Sequence, residues 1–197
     1  MKRAMMIAVV IAAVFSMDQA SAGFLDTFSS LTGMTTNDAK LSSDNYLPNA
    51  DIRLGKYKCK AIHLKPFANR AENTKQWSYP SSDGRMWYRV QHGSIDAYFW
   101  YCFQKYLRLL GTVVHEEQAT AEVVQLALTL QYLTDKSAKF ELFAIKGREQ
   151  LLKSFSVSFD PPATENRNAL ADAQYRMMDK IILSILTDPE FKKLFFE

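Results

Sequence analysis

Aromatic and cationic side chains are concentrated between residues 68 and 92, a segment without a sustained helical or strand period, here called the aromatic loop. Its aromatic members are Trp77, Tyr79, Trp87 and Tyr88, and its cationic members are Arg70, Arg85 and Arg89. Such rings dominate protein interfaces, and arginine pairs with carboxylates or phosphates. The loop is therefore predicted to bind a partner, although the same rings are equally suited to covering an open sheet face.

Two cysteines, Cys59 and Cys102, offer a second chemistry. Cys59 falls in the first predicted strand, Tyr57–Phe67, and Cys102 in the first predicted helix. These elements would pack together in an α+β sandwich, so a disulfide between the two cysteines is geometrically reasonable. It would close a loop of about 40 residues and contribute about 2–5 kcal/mol. Buried thiols also fill cores well, and the sequence leaves both alternatives open. Because Cys102 has no CxxC partner, we do not expect a catalytic thiol.

No motif for catalysis or for a bound cofactor stands out. His63, His92 and His115 form no HExxH or HxH spacing, and the chain has neither a GxSxG serine nor a glycine-rich phosphate loop. We therefore expect no catalytic residue, no cofactor and no metal ligand. The alternative is a small secreted hydrolase with an unrecognised site, which a deep pocket joining His115 or His63 to two carboxylates would support.

The first residues have the three parts of a secretory signal. Lys2 and Arg3 precede an apolar run from Ala4 to Phe15, and the small residues Ala20-Ser21-Ala22 precede Gly23. The apolar run is shorter than the ~20 residues that span a bilayer. Residues 1–22 are therefore predicted to be a cleaved signal peptide, which leaves no transmembrane helix and places the protein in the periplasm or outside the cell.

The remaining chain divides into an N-terminal arm and one domain. Residues 23–55 are rich in Ser, Thr, Asn and Asp and predict an extended arm, for which packed and mobile states are equally compatible with the sequence. Residues 56–197 predict a single α+β domain. The net charge of +3, without a clustered basic face, gives no indication of nucleic-acid binding.

Hydrophobic periodicity predicts the elements that must position these side chains. A period of 3.6 predicts a helix from Ile95 to Leu110, with Ser94 before it and Gly111 as its stop. A period of two over Glu122–Leu133 and in the next two segments predicts an antiparallel meander. A second main helix ends near Leu186, and Asp188-Pro189 opens a final turn. The predicted fold is an antiparallel sheet of four to five strands with two main helices packed on one face.

Several stretches carry a family resemblance. They are Ile62-His63-Leu64-Lys65-Pro66-Phe67-Ala68-Asn69-Arg70, Leu109-Leu110-Gly111-Thr112-Val113-Val114, the meander, and Ile185-Leu186-Thr187-Asp188-Pro189-Glu190-Phe191. In this pattern the chain resembles small Gram-negative envelope proteins of the YajG-like lipoprotein type and, more loosely, the auxiliary lipoproteins of envelope ABC transporters. The lipid-bearing cysteine of those lipoproteins is absent here. The resemblance implies an accessory role in the cell envelope without a known catalytic site.

Together these observations predict a non-enzymatic periplasmic accessory protein that binds an envelope protein or a larger assembly through the aromatic loop. A protein that binds a glycan, a lipid or another small ligand would use the same rings, and the sequence does not separate the two.

Overall fold

The structure is a computed structural model and describes residues 38–49, 61–115 and 122–196. The predicted signal peptide, the first part of the predicted arm and Cys59 lie outside the described residues.

The described residues form two sheets and the helices that cover them. The strands are β1 Asp38–Leu41, β2 Ala61–Leu64, β3 Ala68–Asn69, β4 Ser78–Pro80, β5 Trp87–Val90, β6 Val113–His115, β7 Val124–Leu133, β8 Ser137–Lys146 and β9 Glu149–Ser158. The helices are α1 Ile95–Leu109, α2 Arg167–Leu186 and α3 Pro189–Phe196. This arrangement confirms the predicted α+β class.

The main sheet has six strands in the order β6-β2-β7-β8-β9, with β3 also beside β7. Strands β7, β8 and β9 form the predicted antiparallel meander. Strand β2 lies parallel to both β6 and β7, so the sheet is mixed rather than purely antiparallel. Parallel neighbours need a long crossover, and the chain between β2 and β6 contains α1, which supplies it.

Alternation along the meander separates a buried face from a solvent face. Leu128 of β7 and Leu142 of β8 are directly opposite each other and are fully or almost fully buried. Their neighbours Thr129 and Glu141 lie on the other face and are only partly covered. The helices pack on the buried face, where α1 contacts β6 and α3 contacts β8 and β9.

The smaller sheet has the order β1-β5-β4, and its first strand comes from the predicted arm. Strand β1 runs parallel to β5 and packs against α2. Tyr46, which follows β1, is completely buried. Of the two states that the sequence left open for the arm, the packed one holds for residues 38–49.

Short polar residues cap the starts of α2 and α3, whereas Ser94, the N-cap predicted for α1, makes no side-chain capping hydrogen bond. The Asn166 side chain accepts hydrogen bonds from the first N–H groups of α2. Asp188 caps α3 in the same way, accepting from the N–H groups of Glu190 and Phe191 at 3.1 Å each. After α1, Gly111 adopts a left-handed φ of 76° that suits glycine at a helix stop. Within the described part of the chain, no helix has the length and apolarity that crossing a bilayer requires.

Candidate functional site

The aromatic loop is folded into two short strands, β4 and β5, and this separates its side chains. Tyr79 and Tyr88 are directly opposite in the antiparallel pair, and each is 1% exposed. Their rings stack with centroids 5.1 Å apart. Burial raises the pKa of both phenols above the ordinary value, since the phenolate would lose its hydration. These two residues belong to the core, and the prediction that the loop's rings cover a sheet face holds for them.

The two tryptophans lie nearer the surface. Trp77 is 50% exposed in the turn before β4. Trp87 is partly covered, and the Lys75 Nζ lies 4.4 Å from the centroid of one of its rings. This distance is within the range of a cation–π interaction, which holds Trp87 against the turn that carries Trp77.

The three arginines of the loop do not converge on a common anion site. Arg89 pairs with Asp38 of β1 at 3.1 Å, and Arg85 lies 3.9 Å from the exposed Asp83. Arg70 lines a separate shallow cavity with Glu72, Asn73, Gln131 and Tyr132. The first two arginines are therefore engaged by neighbouring carboxylates of the same chain.

An open groove of about 350 Å³ lies between the first turns of α1 and the end of β2. We call it the Trp100 groove, and it is lined by His63, Leu64, Pro66, Phe67, Asp96, Ala97, Trp100 and Tyr101. The Trp100 and Tyr101 rings are perpendicular, at 87°, with centroids 5.1 Å apart. The indole N–H of Trp100 points to the Leu64 carbonyl at 3.4 Å, and Tyr101 is 51% exposed. The lining is mainly apolar, with one carboxylate and one imidazole.

The Trp77 turn is attached to the helix that forms one wall of this groove. The Ile95 N–H, at the start of α1, donates to the Gln76 carbonyl at 2.9 Å. The Val90 N–H donates to the Trp77 carbonyl, also at 2.9 Å. The Trp77 turn is therefore attached to the first residue of α1, whereas Tyr101 lies near the middle of this helix and Trp77 does not line the groove.

Sequence reasoning identified Trp77 but missed the groove. The residues that α1 contributes to the groove are Asp96, Ala97, Trp100 and Tyr101. They lie off the apolar stripe that marks the buried face of this helix. Two large aromatics on the polar side of an amphipathic helix were the available signal. The other wall, from His63 to Phe67, is distant in sequence, and only the packing of β2 against α1 brings it close.

Two of the three histidine candidates are neighbours, because His63 of β2 and His115 of β6 are partners in the parallel pair. Cys102 is buried on α1, and burial raises the pKa of its thiol well above the ordinary value, which disfavours a thiolate. Its predicted disulfide with Cys59 stays a prediction, since Cys59 lies outside the described residues. His63 lines the Trp100 groove and His92 is exposed. Among the residues whose positions are described, no group of three or more His, Cys, Asp or Glu is arranged to hold a metal.

A buried polar contact fixes the segment after β1 onto α2. The Tyr46 hydroxyl donates to the Asp179 carboxylate at 2.6 Å. Burial raises the pKa of this carboxyl above its ordinary value, and the hydrogen bonds from Tyr46 and from the Asn49 N–H offset only part of that rise. The contact acts together with two further contacts of the same segment, from the Ser42 N–H to the Tyr175 hydroxyl at 3.2 Å and from the Lys105 Nζ to the Ser43 carbonyl at 2.6 Å.

Comparison with known proteins identifies the fold and no more. No protein-family model and no curated protein matches the sequence. The structure is similar to that of protein XCC0632 from Xanthomonas campestris, of family DUF330, with a TM-score of 0.52 and 9% identity, covering 75% of this chain and 91% of that one. A second similar structure, of an uncharacterized protein, has a TM-score of 0.46 and 13% identity and covers 65% of this chain and 98% of that one. The chain thus shares its overall fold with a DUF330 protein.

Proposed function

We propose that this protein is a non-enzymatic accessory protein of the cell envelope that binds a protein partner at the Trp100 groove. The observation that carries the proposal is the grouping of Trp100 and the half-exposed Tyr101 in a mainly apolar groove. Tryptophan and tyrosine in such positions are the side chains that most often dominate binding energy. The groove of about 350 Å³ has room for one large apolar side chain of the partner.

The chemistry of the lining favours binding over catalysis. The groove contains one carboxylate, Asp96, and one imidazole, His63, among apolar walls. The single described thiol, Cys102, is buried and its raised pKa keeps it protonated. A partner that inserts an apolar group would gain from desolvating these walls, and Tyr101 would offer a hydroxyl at the rim.

The proposed location is the periplasm, with the extracellular space as the alternative. It is supported by the three-part signal at residues 1–22 and by the sequence pattern shared with YajG-like and transporter-auxiliary lipoproteins. The fold shared with the DUF330 protein is compatible with this assignment.

A capture experiment with matched variants tests the proposal. Envelope extract is passed over the immobilised protein and over three variants, Tyr101→Ala, Trp77→Ala and Tyr132→Ala. The first removes a half-exposed ring that lines the groove, the second removes the half-exposed ring of the turn before α1, and the third removes a 38% exposed ring from β7 as a control. We expect one protein to be retained by the parent and by Tyr132→Ala and lost from Tyr101→Ala, with weaker retention by Trp77→Ala.

Unchanged circular dichroism spectra would show that the variants are folded. If Tyr101→Ala retains the same proteins in the same amounts as the parent, the groove is not the interface and the proposal fails.

A glycan or lipid ligand is the second candidate, because the perpendicular Trp100 and Tyr101 rings offer two aromatic faces to an open groove. Titration with soluble peptidoglycan fragments or with phospholipid micelles would change the fluorescence of Trp100 in this case. A Trp77→Phe/Trp87→Phe background isolates that signal. A saturable change together with no captured protein would favour the small ligand over the protein partner.

A further inference from the structure

Strand β9 forms a long open edge of the main sheet. It has 10 residues and pairs with β8 along its whole length, with no shift in register. Among the strands in the described residues, none pairs with its other side. The opposite edge of the main sheet is β6, which has only 3 residues, and the edge strands of the smaller sheet have 4 and 3. The edge of β9 therefore differs from the other described edges in length.

The hairpin geometry shows which backbone groups face outward. The turn Gly147-Arg148 is closed by the pair Lys146 and Glu149. In a two-residue hairpin the closing pair is hydrogen-bonded, so Glu149 and every second residue after it bond to β8. The remaining residues of β9 direct their N–H and C=O groups away from the sheet. Consistent with this alternation, the outward carbonyl of Ser158 accepts from the Lys180 Nζ at 2.6 Å.

The outward-bonding residues carry none of the features that usually protect an edge. They are Gln150, Leu152, Ser154, Ser156 and Ser158. None is charged and none is proline, although charges, prolines and bulges are the common means of blocking strand addition. Leu152 is 66% exposed among them. Lys180, at the Ser158 end, occupies one outward carbonyl and so limits the length over which another strand could add.

We propose that β9 pairs in antiparallel orientation with β9 of a second copy of this chain, about a two-fold axis through Ser154. In this register Leu152 lies opposite Ser156 of the second copy, and each pair of outward residues exchanges two main-chain hydrogen bonds. On the helix-side face, Lys153 lies opposite Phe155 of the second copy.

Two registers are centred on this 10-residue strand, with the axis at Lys153 or at Ser154, and charge disfavours the first of them. A shift of the axis to Lys153 would place two ammonium groups directly opposite each other, which destabilises a sheet. With the axis at Ser154, no two like charges of β9 face each other. Each Lys153 also keeps its own carboxylates, Asp188 at 2.7 Å and Glu190 at 3.0 Å. The two main sheets then form one continuous sheet across the dimer.

The association is tested by mass and by amide exchange over a range of concentrations. Protein purified after expression of the full chain is studied by light scattering, and its amide exchange is followed by NMR. The test variant is Ser154→Lys, which places two ammonium groups at the axis. The control is Thr129→Lys, which adds the same charge to the same face of the sheet but on the interior strand β7.

We expect the mass to rise from monomer to dimer with concentration, and the amides of Leu152, Ser154 and Ser156 to become protected as it rises. Ser154→Lys should weaken association about fivefold or more, and Thr129→Lys should leave it unchanged. A monomer at every concentration overturns the proposal. A dimer in which these amides remain as fast as in dilute protein also overturns it, because its interface would lie elsewhere. The exchange data decide the matter even if Ser154→Lys does not fold.

Discussion

The hydrogen bond between Tyr46 and Asp179 gives a direct test of how the N-terminal segment is held. Replacing Tyr46 with Phe removes the hydroxyl that donates to the carboxylate at 2.6 Å and leaves the ring in place. A hydrogen bond to a charged group contributes about 1.5–3 kcal/mol. We therefore expect Tyr46→Phe to lower the free energy of unfolding at pH 7 by about 2 kcal/mol, or the melting temperature by about 4–8 °C.

The pH dependence follows from the raised pKa of Asp179. Because burial raises its pKa in the folded state above that of the unfolded chain, the folded state binds the proton more tightly. The resulting stabilisation is complete below the unfolded pKa of about 3.9 and is lost as the pH rises through the folded pKa. Asp179→Asn removes this titration and the cost of the buried charge, so it should be at least as stable as the parent at pH 7.

The assay is urea unfolding monitored by tryptophan fluorescence for the parent, Tyr46→Phe and Asp179→Asn at pH 7 and at pH 4.5. Subtracting the Asp179→Asn curve removes the titration of all other groups. We expect the stability of the parent relative to Asp179→Asn to rise on acidification. Equal stability of Tyr46→Phe and the parent at pH 7, or a parent that loses stability relative to Asp179→Asn on acidification, would refute the reasoning.

Three further predictions concern single residues. Asp188→Ala removes the cap of α3 and should cost about 1 kcal/mol at pH 7. Burial alone would raise the pKa of Asp188, but the hydrogen bonds from Lys153 and from the helix N–H groups outweigh it and lower the pKa. The loss of stability in Asp188→Ala should therefore become smaller in urea titrations as the pH falls through this lowered pKa. Gly147→Ala, at a φ of 61°, should cost about 1 kcal/mol in the same titration. Cys102 should not react with a thiol reagent at pH 8 in the folded protein and should react once denaturant unfolds it. A reaction in denaturant that requires prior reduction would show that Cys102 is bridged to Cys59.

The sequence predicted the elements whose signals are local. Helix α1 has a long apolar stripe ending at Gly111, and the meander has alternation interrupted by short turns, so both could be located to within a few residues. Asp188-Pro189 marked the start of α3 because a cap followed by proline has one strong structural meaning.

The parts that the sequence did not reveal depend on contacts between distant residues. Nothing near β1 indicates that Ala39 and Leu41 pair with β5, because their partners lie far along the chain. The Trp100 groove likewise exists only where Phe67 meets α1. In the aromatic loop, residues that are adjacent in sequence are separated by the fold, since Trp87 and Tyr88 lie on opposite faces of strand β5.

The parallel pairing of β2 with β7 has a consequence for the order of folding. The meander connects neighbouring segments through short turns, so its closure costs little chain entropy and can proceed early. Strand β2 can pair with β7 only after the chain has closed a loop of about sixty residues, which contains β4, β5 and α1. The sheet can therefore be completed only after the C-terminal half has formed, and a chain stopped before Val124 would leave one side of β2 without its partner.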